Sequence, residues 1–315
     1  AGHRVVHGGE HFTAPVCVTP VIEAQLAALA PLAPLHQPHN LAAIHALRKL
    51  QPALPQAACC DTAFHRTQPE MAQRYALPPE LTAGGVRRYG FHGLSYEYIA
   101  GELPAHLGDQ ASGRVIVAHL GNGASLCALR DRRSLATTMG FSTLDGLMMG
   151  TRCGSIDPGV LLYLLQEKAY TTQELEDLLY RNSGLLGMSG ISSDVRDLLA
   201  SNAPAAREAL DLFCYRVVRE IGSLIAALGG LDALVFTAGI GEHASELRAR
   251  ICKPLGWLGL ELDDTANRAN APAISTPGSR VTTLVIPTNE EAVIAHHTAR
   301  VLGLSATSPC ATAAC

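Results

Sequence analysis

Apolar residues recur at helical spacing over 21–30 (VIEAQLAALA) and 39–50 (HNLAAIHALRKL), and the broken, proline-rich PLAPLHQPHN between them predicts no regular structure. The clearest helix is 205–228, where Leu210, Phe213, Val217, Ile221, Leu224 and Leu228 fall three or four apart and Gly229-Gly230 ends the pattern. Residues 159–168 and 172–181 read as helices, the second capped by Thr171 or Thr172 with Glu174 following. Short apolar runs predict strands: 56–64, ending in a polar site; 114–119, running into the turn GNG; LDALVFTAG (231–239), followed by a turn GIGE with a helix near 244–252 beyond it; and RVTTLVIPT, followed by the helix EEAVIAHHTARVL. Residues 124–138 have the form of a hairpin with Asp131-Arg132 at its tip. Strands alternating with helices predict α/β layers with partly parallel sheets, which the hairpin makes mixed.

Length and composition narrow this. At about 150 residues per domain, 315 residues suggest two domains. A formal charge of −4 and a pI near 6.4 leave no basic excess for a phosphate backbone, so nucleic acid is not an expected partner. No apolar run reaches the roughly 18 residues of a membrane helix, and the N-terminus has no secretory pattern, so neither membrane nor export is expected. The nine cysteines are odd in number, scattered and without a C-x-x-C pair, which predicts reduced thiols in a cytoplasmic protein. The histidine pairs His3/His7, His36/His39 and His296/His297 raise a structural zinc site, the weaker reading because their spacings set no tetrahedral arrangement.

Two segments share one form, an apolar strand followed by a glycine turn: VIVAH-LGNGAS and LVFTA-GIGEHAS. Glycine lets backbone amides approach an anion, and such turns at strand C-termini are where α/β sheets hold ligands. Together with the glycine-rich 146–159 they point to a nucleotide, yet the chain has neither a G-x-x-x-x-G-K-[ST] nor a G-x-G-x-x-G, and no H-R-D, G-x-S-x-G or H-E-x-x-H.

The blocks GHRVVHGGE, PLHQPHN, CCDTAFH, RRYGFHGLS, VAHLGNGASL, DGLMMGTRCGSIDPG, SGISSDVRDL, TAGIGEHA and PTNEE resemble, in order, the signature blocks of the acetate kinase family. The resemblance implies a two-domain α/β fold of the actin-like ATPase kind, shared with the heat-shock ATPases and sugar kinases. It implies an incomplete first domain of residues 1–63 plus 293–315, and a nucleotide-binding and dimerisation domain of 64–292. It further implies ATP + acetate ⇌ ADP + acetyl phosphate, with Mg²⁺ or Mn²⁺, in a cytoplasmic homodimer. Propionate kinases share the motifs. There are departures. The family's opening strand and loop, with their Asn, Ser and Lys near the phosphates, find no counterpart, so weak ATP binding and little turnover are expected of these 315 residues. A nucleotide-binding homologue without catalysis is therefore the rival reading. Asp131-Arg132 replaces an Asn-Gly tip, His243 an Asn, Thr143 a pocket proline, and His39 a smaller or apolar residue.

Acetate, like a glutamate side chain, ionises near pH 4–5 and needs no general base at neutral pH, about 3 units higher. The difficulty is to bring an anion against a polyanion, so cations and in-line positioning should dominate. Arginine suits this because its guanidinium forks onto carboxylate or phosphoryl oxygens and stays charged. By resemblance Arg4 binds the carboxyl substrate, Arg152 stabilises the transferring group, His92 bonds a phosphoryl oxygen, and His36 is a further substrate contact. Asp61 is the family's catalytic carboxylate, here expected to fix Arg152, a water or Mg²⁺ rather than to take a proton. Glu290 matches the magnesium ligand, although Glu290-Glu291 would also suit a helix N-terminus. Nucleotide contacts fall on His119, Leu120, Gly121, Asn122 and Gly123, on Asp194, Val195 and Arg196, and on Gly239, Ile240, Gly241, Glu242 and His243. Val6 and Leu35 would line the pocket for the acyl methyl group.

Overall fold

The computed structural model describes residues 1–34 and 36–304. The first sheet contains β1 (Gly2–Val5), β2 (Val16–Cys17) and β3 (Ala57–Cys60) in the order β1-β3-β2, with β1 and β3 parallel. Between β2 and β3 the chain forms α1 (Pro20–Ala27), capped by the Thr19 hydroxyl, and α2 (Gln37–Leu50). Leu26 and Ile44 of these helices pack with Val5, Phe12, Ala58 and Cys60. The proline-rich stretch is less broken than its composition predicts. Ala30–Leu32 make a 3-10 turn, and α2 begins inside the stretch because Pro38 lies in the helix's first turn, where a missing N–H costs nothing.

After β3 come α3 (Glu70–Gln73), α4 (Pro79–Ala83) and α5 (Gly93–Leu107). The second sheet then begins with β4 (Val115–Leu120), β5 (Ala124–Arg130) and β6 (Arg133–Thr137). Helices α6 (Pro158–Gln166), α7 (Thr172–Arg181), α8 (Gly184–Ser189), α9 (Val195–Ala200) and α10 (Pro204–Leu228) follow. The chain continues through β7 (Ala233–Thr237), α11 (Ala238–His243), α12 (Ser245–Cys252), α13 (Asp264–Arg268), β8 (Thr282–Val285) and α14 (Glu290–Val301). Strand order is β6-β5-β4-β7-β8, with β4, β7 and β8 parallel and β5 antiparallel to both its neighbours. The mixed sheets are those the sequence pattern predicts.

Both faces of β4 are covered, which is why it reads as an unbroken apolar run. Val115 and Val117 pack with Tyr96, Ile99 and Leu103 of α5. Ile116, Ala118 and Leu120 belong to the core on the other face, with Phe213, Val217 and Ile221 of α10. All six apolar residues singled out in 205–228 are buried, and Gly229 ends α10 at φ +73°, where a Cβ would be strained. α7 carries the capping box of Thr171 and Glu174.

Two expectations are corrected. Residues 93–107, not foreseen as a helix, form α5; Tyr96, Ile99, Ala100 and Leu103 carry the spacing, which Gly93, Gly101 and Pro104 obscure. GIGE is not an open turn but the body of α11, and the positive φ of +64° falls on Ala238 rather than on either glycine.

Parallel pairing sets the position of the functional segments. His119 lies opposite Thr237, so GNG and AGIGE leave the same edge of the second sheet side by side. In the first sheet Val5 lies opposite Cys60, which brings Arg4 and Asp61 to one end.

Candidate active site

Arg4 lies on β1 and Asp61 immediately beyond β3, and the strand register lets the guanidinium reach the carboxylate. Arg4 Nη2 and Nε donate to Asp61 Oδ2 at 2.7 and 3.0 Å. Arg4 Nη1 lies 3.1 Å from Glu290 Oε2, at the first turn of α14. The guanidinium is thus clasped by two carboxylates yet remains 44% exposed, whereas Asp61 is 1% exposed. Burial pushes the Asp61 carboxyl upward and Arg4 chiefly opposes it. Glu290 is likewise raised by burial and opposed by Arg4. Asp61 therefore fixes Arg4, not Arg152 as its sequence context suggested.

Arg152 lies in the glycine-rich segment before α6. Its Nη1 donates to the carbonyl of Thr143 at 2.8 Å, and among the described residues no carboxylate pairs with it. Burial lowers its pKa. A Cβ placed on Gly123 would lie 2.7 Å from Arg152 Nη2 and 3.3 Å from His92 Nε2. A side chain at this position would force the guanidinium, and to a lesser degree the imidazole, to shift away from the turn. His92 caps α5 at φ +57° and stacks on His119, with ring centroids 4.2 Å apart and planes at 17°. Burial pushes His92 well below the usual histidine range, with His119, Arg4 and Arg152 adding to it, and brings His119 to about 3. His36 starts α2; burial lowers it first, then the charges of Arg152 and Arg4. Arg4 of β1 and His119 of β4 thus gather with His36, His92 and Arg152, which come from helix starts and the glycine-rich segment.

Beside them opens a cavity of about 520 Å³, lined by Gly121 and Asn122, by Ser193 to Arg196, and by Gly239, Ile240 and His243. Three separated segments predicted to touch a nucleotide meet here. Other predicted contacts are placed differently. The Leu120 side chain points into the core. Gly241 is buried, and Gly239 and Gly241 have ordinary backbone geometry with room for a Cβ. Glu242 faces the loop before α14 and accepts from the amide of Thr288 at 3.2 Å. Asp194, in the cavity wall, also caps α9 and pairs with Arg196 at 2.6 Å.

Sequence reasoning missed the supports. Ser125 and Ser95 bond Nδ1 of His92 and His119, both at 2.8 Å. Arg248, fully buried, donates to the carbonyls of Gly241 and Glu242 at 2.8 and 2.9 Å and fixes the end of α11. Ser95 and Ser125 stand inside the recognised blocks RRYGFHGLS and VAHLGNGASL, and Arg248 lies just beyond TAGIGEHA, but nothing in the residues themselves marked those roles; Leu35 lies outside the described residues.

A sequence model described as the acetokinase family matches residues 1–296. The chain belongs to the acetokinase family. It is 64% identical over 299 residues to an acetate kinase of Rhodopseudomonas palustris, covering 94% of this chain and 75% of that protein. The crystal structure of Porphyromonas gingivalis acetate kinase aligns with a TM-score of 0.88 at 41% identity, over 96% of this chain and 77% of that one. A propionate kinase from Francisella tularensis aligns at 0.90 and 40%, over 94% and 77%. The α/β architecture is therefore that of acetate and propionate kinases, and a member of this acetokinase family works on ATP and ADP.

Three of the six histidines weighed for zinc have other partners: His3 Nε2 meets Gln56 at 2.7 Å, His7 Nδ1 accepts from the Gly9 amide, and His297 Nε2 meets Glu97 at 2.7 Å. Among the described residues no group of three His, Cys, Asp or Glu side chains is placed to hold a metal. Magnesium asks for less, because it is usually held by one or two carboxylates together with substrate phosphates and water. Asp61 Oδ1, buried and without a partner, and the neighbouring Glu290 carboxylate fit that requirement.

Proposed function

We propose that the protein transfers the γ-phosphoryl group of ATP reversibly to acetate, giving ADP and acetyl phosphate. The observation that carries this reading is the contact of Arg152 and His92 with Gly123, where the nucleotide-sized cavity meets the cationic cluster. The adenosine would occupy the cavity between α9 and α11. Its phosphates would then run along GNG toward Arg152.

Arg4, held by Asp61 and Glu290 but open to solvent, receives the acetate carboxylate. One carboxylate oxygen attacks the γ-phosphorus as the bond to the β,γ-bridging oxygen breaks, and ADP leaves with that electron pair. No proton moves, which suits a site whose buried carboxylate is engaged by an arginine. Arg152, free of carboxylates, offers its fork to the equatorial oxygens, and the neutral imidazoles add hydrogen bonds without further charge. His36 flanks the two arginines. Asp61 and Glu290 would hold Mg²⁺ or Mn²⁺, which when bound offsets charge on the phosphates.

Val6 and Thr143, both buried, stand where the acyl group would lie. The 64% identity to a curated acetate kinase favours acetate over propionate. We assign residues 1–63 and 293–304 to one domain and 64–292 to the other, joined in a homodimer; the rest of the expected first-domain segment, 305–315, lies outside the described residues. The apolar α6, none of whose residues is buried, supports the dimer. The described cysteines are free, which supports a reducing cytoplasmic setting. Among the described residues no helix is long and apolar enough to cross a membrane. Phosphorus NMR of protein, ATP, Mg²⁺ and acetate tests the reading: acetyl phosphate should appear with ADP, and kcat/KM for acetate should exceed that for propionate. Nucleotide binding with no acyl phosphate from either acid would leave only a nucleotide-binding homologue.

A further inference from the structure

The stacked histidines are held by hydroxyl groups, and hydroxyl protons can be counted. Tyr96 Oη and Ser125 Oγ lie 2.5 Å apart, and Ser125 Oγ lies 2.8 Å from His92 Nδ1. Tyr96 and Ser125 are wholly buried. Among the described residues Ser125 is the phenol's only hydrogen-bond partner. If Ser125 gave its proton to Tyr96, the phenolic hydrogen would be buried without an acceptor, which is costly. The fully satisfied arrangement has Tyr96 donating to Ser125 and Ser125 donating to His92 Nδ1. A neutral imidazole that accepts at Nδ1 carries its proton on Nε2.

The second ring repeats the arrangement. Thr288 Oγ1 donates to Ser95 Oγ at 2.9 Å, which leaves the Ser95 proton for His119 Nδ1 at 2.8 Å. Among the described residues neither Nε2 has a protein partner. His92 Nε2 faces the glycine turn beside Arg152.

We propose that the Tyr96–Ser125 and Thr288–Ser95 pairs set the tautomers of His92 and His119, so that each offers the transferring phosphoryl group an Nε2–H donor. Ser125 and Ser95 are then positioning residues. With the opposite tautomer an imidazole lone pair would face the anionic oxygens and repel them. Both rings remain neutral because burial and the adjacent arginines oppose protonation. The role in catalysis rests on the phosphoryl-transfer reading above, whereas the tautomers themselves do not.

Long-range ¹H–¹⁵N correlation spectra of the histidine-labelled protein at neutral pH read the tautomers directly. The expected result is Nε2–H for both rings. Ser125→Ala should lose that bias at His92 while leaving His119 unchanged, and should lower kcat about tenfold with KM for ATP within twofold. Ser125→Thr, which keeps a hydroxyl, should restore both. An Nδ1–H tautomer at His92 in the unmodified protein would overturn the proposal. So would a Ser125→Ala protein whose tautomer or kcat is unchanged. Nε2–H tautomers in a protein that makes no acyl phosphate would overturn the functional reading and leave the tautomer assignment standing.

Discussion

Arg4 and Arg152 are the same residue type put to different uses by their surroundings. Arg4 is clasped by two carboxylates, which orient it and temper its charge; Arg152 is bound only to a carbonyl and keeps its charge for a ligand. Gly123 makes the second role testable. Gly123→Ala should push Arg152 and His92 out of line and reduce kcat by at least tenfold, measured by initial rates at saturating ATP, because an added Cβ would lie 2.7 Å from Arg152 Nη2. Unchanged kcat would remove Arg152 from the phosphoryl site. Buried histidines set an acid limit on stability. His7 and His65 are lowered to about 4 and His119 to about 3, each mainly by burial. The unfolded chain takes up these protons near pH 6.5 while the fold refuses them, so stability is full above about 6.5 and falls as pH drops toward about 4. Urea unfolding at pH 5 should show a loss on the order of 6 kcal/mol relative to pH 7.5, about 2 kcal/mol for each of the three rings; an unchanged midpoint would contradict these environments. At this scale the charged and imidazole residues were legible because their chemistry is distinctive. Ser95, Ser125 and Thr288 were not, since a hydroxyl's role depends on which ring it meets, and that is decided by the packing of α5 against β4, β5 and the loop before α14.

Elements whose pattern comes from burial on one side were readable, and those shaped by glycine and proline were not. The long α10 and the β5–β6 hairpin follow their sequence closely. α5 was hidden by two glycines and a proline, and α11 by glycines that in fact adopt helical geometry. The hairpin tip shows local chemistry overruled by its strands. Asp131 and Arg132 both take positive φ, +53° and +59°, as a two-residue tip demands. Replacing them by Asn and Gly should raise stability by about 1 kcal/mol in thermal unfolding without altering ATP affinity; a lower melting temperature would mean that contacts made by Arg132 outweigh the strain. Inside α10, a Cβ on Gly222 would meet nothing within 4 Å. Gly222→Ala should therefore stabilise the helix by roughly 0.5–1 kcal/mol.

For the whole molecule, one apolar surface on and before α6 lies uncovered in the single chain. Val160, Leu162 and Tyr163 of α6 are 39%, 55% and 50% exposed, and Ile156 lies just before them at 40%. If this face joins two subunits, Leu162→Glu should convert the sedimenting species from dimer to monomer while secondary structure is retained; a monomeric parent protein would refute the assignment. The ligand-holding end of the second sheet was legible through glycine turns after apolar strands, because the parallel pairing of β4 and β7 brings such turns to one edge, whereas β1 and β2 of the first sheet carried no such signal. What the sequence could not show was that Asp61 serves Arg4, a pairing fixed by the register of β1 on β3. The central claim is that Arg152 stabilises phosphoryl transfer from ATP to acetate. Hydroxylamine trapping of acetyl phosphate, run on the parent protein and Arg152→Ala beside calorimetric ATP affinity, tests it most directly. The expected result is ATP- and acetate-dependent hydroxamate from the parent, a loss of orders of magnitude in the variant, and nearly equal ATP affinity in both. Equal hydroxamate from the two proteins, or none from the parent, would contradict it.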